Sequence, residues 1–194
     1  MIYSFKRDFR RGLLPNSITL FGLLMVPIVL CLLEKWLLYW ALAVYVLAWL
    51  SDLFDGWVAR RLKCSSQIGA FFDPLVDKFF TWTFLIYFWK EISIFVSLPV
   101  ITLGISLTVL RIYKWNYGVK KQVAYNIMAK LSGKLKANFE KSAFCLLILL
   151  KLAIVNLQID NETIIIAELF INYVLTASLL FAVFSLAHQI KEIS

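Results

Sequence analysis

Ser51-Asp-Leu-Phe-Asp-Gly-Trp-Val-Ala-Arg-Arg-Leu-Lys63 and, after a short connection, Phe71-Phe-Asp-Pro-Leu-Val-Asp-Lys78 decide how this chain is read. Together they hold four carboxylates, Asp52, Asp55, Asp73 and Asp77, between apolar runs from Trp36 to Leu50 and from Phe79 to Trp89. Ionisable groups beside runs of that kind are costly at bilayer depth and mark a functional site by default. Asp52 and Asp55 are three apart and Asp73 and Asp77 four apart, so on helices each pair shares a face. The short connection makes the two helix ends neighbours, and the four acids then point into one small volume. Two unit charges ~5 Å apart repel by ~3 kcal/mol at an effective dielectric of ~20. Two divalent cations would balance the four charges, and an all-carboxylate donor set suits hard ions, Mg²⁺ or Mn²⁺. Paired metals of this kind clamp a phosphoryl group during displacement.

Gly56, Ala59 and Gly69 remove side-chain bulk where a ligand has to approach backbone, and Arg60, one turn beyond Gly56, is placed for a phosphate oxygen. Solvated helix ends at a membrane surface would need no such mixture of small residues and spaced acids. The pattern Asp52-x2-Asp55-Gly56-x2-Ala59-Arg60-x8-Gly69-x3-Asp73-x3-Asp77 resembles the signature of the CDP-alcohol phosphotransferase family. Pro15-Asn16-Ser17-Ile18-Thr19 is similar to the Pro-Asn-x-x-Thr opening common in that family. The resemblance implies a polytopic membrane enzyme that cleaves a CDP-linked donor, CDP-diacylglycerol, and joins the retained phosphatidyl group to an alcohol, releasing CMP. It implies that Asp52, Asp55, Asp73 and Asp77 hold two metal ions. It further implies that Asn16, Asp52, Gly56, Ala59, Arg60 and Gly69 bind the donor, and that Asp77 is the general base.

Composition agrees with one membrane domain over residues 1–194. Hydrophobic residues make up 61% of the chain and the mean hydropathy is +0.80, above an ordinary soluble protein. The cysteines Cys31, Cys64 and Cys145 have no metal-ligand spacing, and an odd count argues against a disulfide framework; they read as core filler. The expected fold is all-α, a bundle of six transmembrane helices behind an N-terminal amphipathic arm over 1–12. In that arm Ile2, Phe5 and Phe9 recur at helical spacing opposite Lys6, Arg7, Arg10 and Arg11, which suits an anionic leaflet. Gly12 and Pro15 read as breakers before the first span.

The spans are expected near Ser17 to Leu33, Lys35 to Leu62, Ile68 to Trp89, Ile92 to Arg111, Lys134 to Leu157 and Thr163 to Ile190. The arm, the second-to-third and fourth-to-fifth loops and the C-terminus would carry most of the basic residues, among them Arg61, Lys63, Lys120 and Lys191. The opposite side keeps Lys35 and Lys90. That asymmetry puts both termini and the acidic motif in the cytoplasm, in a bacterial-type inner membrane. Trp36, Trp40, Trp89, Trp115 and Tyr117 lie near span ends as interfacial anchors, and His188, the one histidine, reads as interfacial too.

The long connection from Arg111 to Lys141 is the second informative region, with eight basic residues expected in a loop against Glu140. Arg111 and Lys134 are the leading residues for an acceptor phosphate; the positive-inside excess alone accounts for most of the other lysines. Lys134 and Lys136 cannot share one helix face. Within the family this region is similar to the phosphatidylglycerophosphate synthases, which show Gly-Lys-x-Lys-Thr-x-x-Gln where this chain has Gly133-Lys134-Leu135-Lys136-Ala137-Asn138-Phe139-Glu140. It also has Gly22 where those synthases often carry arginine. The expected acceptor is glycerol 3-phosphate. Phosphatidylglycerol (giving cardiolipin), inositol phosphate and serine stand as alternatives, and a non-enzymatic membrane protein with a cation site stands as a third reading. The expected partners are CDP-diacylglycerol, a small phosphorylated alcohol, membrane lipid and, as in many family members, a second copy of the chain, with no nucleic acid. With Asp77 as the base, Asp77→Asn lowers turnover by about tenfold or more; CMP release at saturating substrate measures it, and a smaller loss removes Asp77 from that role.

Overall fold

The computed structural model describes residues 13–61, 67–121 and 131–191, with the side chains of 13–19, 53, 55–61, 67–74, 111, 114–121, 131–132 and 191 outside the description. Every described element is helical. α1 runs Leu13–Glu34, α2 Leu38–Arg61, α3 Gln67–Tyr87, α4 Ile94–Lys121, α5 Leu131–Leu157 and α6 Asn161–Lys191. The amphipathic arm over 1–12 and Cys64 lie outside the described residues. Two expectations are corrected. α1 takes in Pro15, which the first helical turn tolerates because its missing N–H would find no intrahelical acceptor there. α4 does not stop at Arg111 but continues to Lys121, and α5 begins at Leu131, so most of the supposed long loop is helix. Lysine and arginine are good helix formers, and nothing between Arg111 and Lys121 breaks the ladder except Gly118.

The chain packs as two units, Met1–Phe80 and Thr81–Ser194, with α3 contributing to both. In the first, α1 and α2 form a hairpin. Its turn closes α1 with paired bonds, Leu37 N–H donating to the Leu32 carbonyl (2.9 Å) and Trp36 N–H to the Leu33 carbonyl (3.1 Å). This is the double bond that ends a helix with a left-handed residue, here Trp36 at φ 57°. A bulky residue in that region costs about 1 kcal/mol or more, and its indole is exposed. Val26, Val29 and Leu33 on α1 and Ala41, Tyr45 and Ala48 on α2 are buried at three- and four-residue intervals. Small residues such as Ala41 and Ala48 on this seam allow the two backbones to approach.

In the second unit α6 packs against both α4 and α5. Phe84, Phe88, Phe144, Leu147, Ile148, Leu175 and Ala182 are buried there. Phe84 stands between Phe88 and Phe144, with ring centroids 6.4 and 5.6 Å away. Asn172 on α6 brackets the turn between α3 and α4, accepting from Ser93 N–H (2.9 Å) and donating to the Glu91 carbonyl (3.2 Å). Beside it the Lys151 ammonium lies 3.0 Å from Glu91 and about as close over the Phe88 and Tyr87 rings as cation–π contact requires. Cys31 is exposed and Cys145 only half-buried, so neither fills a core as the composition suggested.

Among the described residues one helix, Asn161–Ile190, is long and apolar enough to cross a membrane; Leu20–Glu34, Leu38–Asp52 and Ile94–Leu110 are shorter apolar stretches. Large apolar side chains face outward along these helices, including Leu24, Leu47, Phe95, Ile166, Leu169 and Phe184. An exposed apolar surface of this extent marks a contact with membrane or with another apolar partner. α6 starts on Asp160, whose carboxylate accepts from Thr163 N–H (3.1 Å) and from the Thr163 hydroxyl (2.7 Å), an N-cap. Those bonds hold the Asp160 carboxyl below its usual pKa. A depressed folded-state pKa means the cap is at full strength above the unfolded carboxylate value and weakens as pH falls through the folded one. Asp160→Ala therefore lowers the melting temperature of the detergent-solubilised protein at pH 7, and the gap from wild type narrows below about pH 4; an unchanged gap across that range contradicts the cap.

Candidate active site

α2 carries Asp52, Asp55, Gly56, Ala59 and Arg60 on its last three turns. Asp52 is half-buried; the side chains of the other four lie outside the description. Immediately before Asp52, the buried Ser51 hydroxyl donates to the Ala48 carbonyl at 2.7 Å. α1 lies against this point through Gly22. A Cβ on Gly22 would come 2.8 Å from Ser51 Oγ, closer than packed atoms allow. Gly22 is thus a point of close approach between α1 and α2. Counting in opposite directions from that contact along the antiparallel pair brings Asn16 level with Trp57, beside Asp55 and Gly56.

Asp73 and Gly69 lie on the first two turns of α3, with side chains outside the description, and Asp77 follows one turn on from Asp73. Tyr45 of α2 meets Phe80 of α3, ring centroids 5.5 Å apart and planes at 51°. Counting back from that contact puts Asp73 about level with Asp52. The Asp77 side chain is 18% exposed, and the Lys78 ammonium lies 3.6 Å from its Oδ2. Among the described residues no group of three or more His, Cys, Asp or Glu stands ready for a metal; Asp52 and Asp77 are the two motif carboxylates among them. Lys78 was not singled out as a site residue in the sequence. Its signal there is a lysine set directly before the apolar run from Phe79, where a charge needs a partner.

On the second unit, Arg111 directly follows the apolar stretch Ile94–Leu110, as expected, while α4 itself runs on ten residues to Lys121; the Arg111 side chain lies outside the description. Lys134, on the first turn of α5, is exposed. Lys136 points the opposite way, buried, with its ammonium 2.6 Å from Glu140 Oε1. The other Glu140 oxygen, Oε2, accepts the Thr81 hydroxyl at 3.1 Å. This buried trio was not foreseen. Its residues are 59 positions apart in sequence, and only the i, i+4 spacing of Lys136 and Glu140 hinted at a pair.

Residues 12–187 match the family model described as CDP-alcohol phosphatidyltransferase, so the chain belongs to that family and is an enzyme of that class. Curated relatives carry a narrower name. The chain is 31% identical over 125 residues to a CDP-diacylglycerol–glycerol-3-phosphate 3-phosphatidyltransferase of Sodalis glossinidius, covering 61% of this chain and 69% of the relative. A protein of the same name from Blochmanniella floridana is 34% identical over 92 residues, 45% of this chain and 48% of the relative. The one from Escherichia coli K12 is 30% identical over 125 residues, again 61% and 69%. The match thus spans about half to two thirds of these relatives.

The close approach at Gly22 gives a test of the α1–α2 geometry. Gly22→Ala pushes the Ser51 hydroxyl off the Ala48 carbonyl or moves α1 away, and lowers kcat by about tenfold, since small misplacements near a reacting centre are expensive. Removing the obstructing oxygen as well, in Gly22→Ala/Ser51→Ala, restores most of it. Wild-type kcat in Gly22→Ala, measured as CMP release, would show that the spacing of these helices is irrelevant.

Proposed function

We propose that this enzyme transfers the phosphatidyl group of CDP-diacylglycerol to glycerol 3-phosphate, releasing CMP and giving phosphatidylglycerol phosphate for phospholipid synthesis. The observation that carries it is the eight-position acidic motif from Asp52 to Asp77 in a chain of this family whose curated relatives share that one reaction in their names. The acyl chains of the donor stay in lipid. Asn16, Asp52, Gly56, Ala59, Arg60 and Gly69 receive its cytidine diphosphate, the small residues letting the diphosphate approach backbone. Arg111 and Lys134 take the phosphate of the acceptor. Asp77 accepts the proton of the acceptor hydroxyl as its oxygen bonds to the lipid-side phosphorus; the bond from that phosphorus to the bridging oxygen breaks, and CMP departs with the electron pair. Asp52, Asp55, Asp73 and Asp77 form an all-oxygen donor set that fits two Mg²⁺ or Mn²⁺ ions. Such ions, when bound, neutralise the diphosphate and the charge that grows on it.

The same reading makes 1–194 one domain, with α1 to α6 as six spans, the 1–12 arm on an anionic leaflet, and the termini and acidic motif on the cytoplasmic side of an inner membrane. A homodimer is part of it, as expected of the family. The departures at Gly22, Ala137 and Glu140 bear on the acceptor and not on the donor, so phosphatidylglycerol, inositol phosphate and serine belong in the same experiment. Purified protein with CDP-diacylglycerol releases CMP when glycerol 3-phosphate and Mg²⁺ are present and stops on chelation. Lys134→Ala raises the KM for glycerol 3-phosphate by about tenfold or more, the worth of one charge-assisted contact. CMP release with another acceptor and none with glycerol 3-phosphate overturns the acceptor; release that survives chelation overturns the metals.

A further inference from the structure

Lys136 and Glu140 form an ion pair with side chains 2% and 0% exposed, and neither has a place in the chemistry above. Burying two charges is repaid only when geometry and further hydrogen bonds are good, and a well-packed apolar pair is often as stable. Stability is therefore a weak reason for such a pair, and the best-attested use of buried polar contacts is to fix register. Here there is a register to fix. The two oxygens of Glu140 have separate partners, Lys136 Nζ at 2.6 Å on Oε1 and the buried Thr81 hydroxyl at 3.1 Å on Oε2. Thr81 belongs to α3, so the carboxylate pins one face of α5 to another helix. The buried stripe that starts with Lys136 and Glu140 goes on through Ala143, Phe144, Leu147 and Ile148. The last four are apolar and tolerate small rotations of α5, whereas a hydrogen-bonded carboxylate does not.

Lys134 is exposed two residues before Lys136. At 100° per residue the two lysines project from nearly opposite sides of α5, so whatever holds Lys136 inward holds Lys134 outward. We propose that Glu140 is a positioning residue for acceptor recognition: by taking Lys136 and Thr81 on its two oxygens it sets the rotation of α5 and keeps Lys134 turned outward, where the acceptor phosphate is met. This rests on the reading of Lys134 as the phosphate contact.

The test is steady-state kinetics of the full-length protein in detergent–lipid micelles, with CDP-diacylglycerol and glycerol 3-phosphate varied separately and the melting temperature recorded for each variant. Glu140→Ala raises the KM for glycerol 3-phosphate by about tenfold and leaves that for CDP-diacylglycerol within about threefold. Glu140→Gln, which has one carbonyl oxygen and no counter-charge for Lys136, raises the glycerol 3-phosphate KM in the same direction and leaves that for CDP-diacylglycerol within about threefold. If Glu140→Ala does not fold, the apolar double variant Lys136→Met/Glu140→Leu restores packing without the bridge, and its glycerol 3-phosphate KM is raised in the same way. An unchanged KM for glycerol 3-phosphate in a folded variant lacking the bridge overturns the proposal. So does a rise in both KM values that tracks the melting temperature through Glu140→Ala and Glu140→Gln alike. Lys134→Ala separates the two readings. With no effect on the acceptor KM it sinks the phosphate contact and this role with it; with a raised KM while Glu140→Ala has none, it sinks the role of Glu140 alone.

Discussion

Lys78 with Asp77 and Lys136 with Glu140 are ion pairs within largely apolar helices, and Lys151 of α5 pairs with Glu91 in the turn between α3 and α4. A charge withdrawn from water costs several kcal/mol unless an opposite charge and hydrogen bonds meet it, and that cost organises the polar interior of this protein. Each pair also marks a different task. The first lies in the acidic motif. The second ties α5 to α3 through Thr81. The third, with the Asn172 bracket, fastens the turn between α3 and α4. Charges that do chemistry and charges that hold helices in place obey one rule, and the difference lies in what else they touch.

Close approach is the complementary device. Between two apolar helices, backbone contact improves as the side chains between them shrink. Gly22 against Ser51, with Ala41 and Ala48 along the same seam, lets α1 run near α2 up to the point where Asp52 begins the motif. An arginine at position 22, as related synthases often have, would need a different local packing. The departure is therefore one of helix spacing as well as of charge.

Much was legible in the sequence. The apolar runs announced six helices, and five of them end within a few residues of where their hydropathy placed them. The motif's spacing carried the family, which the match over 12–187 bears out. The fourth helix runs past its apolar stretch because lysines, which look like a solvated loop in sequence, are good helix formers whose backbone bonds persist in water. Lys134 and Lys136 were legible as opposed, but not which of them turns inward.

Local pattern decided everything that depends on neighbours within a few turns: the helices, the pairing of acids on one face, the opposition of the two lysines. Tertiary structure alone decided the contacts that join distant stretches, Gly22 to Ser51 and Thr81 to Glu140. Periodicity fixes which residues share a face of one helix, but which face another helix covers depends on the shape and charge of a partner many residues away. That is why Glu140, an ordinary-looking acid after a basic stretch, shows its place only once α3 lies beside α5.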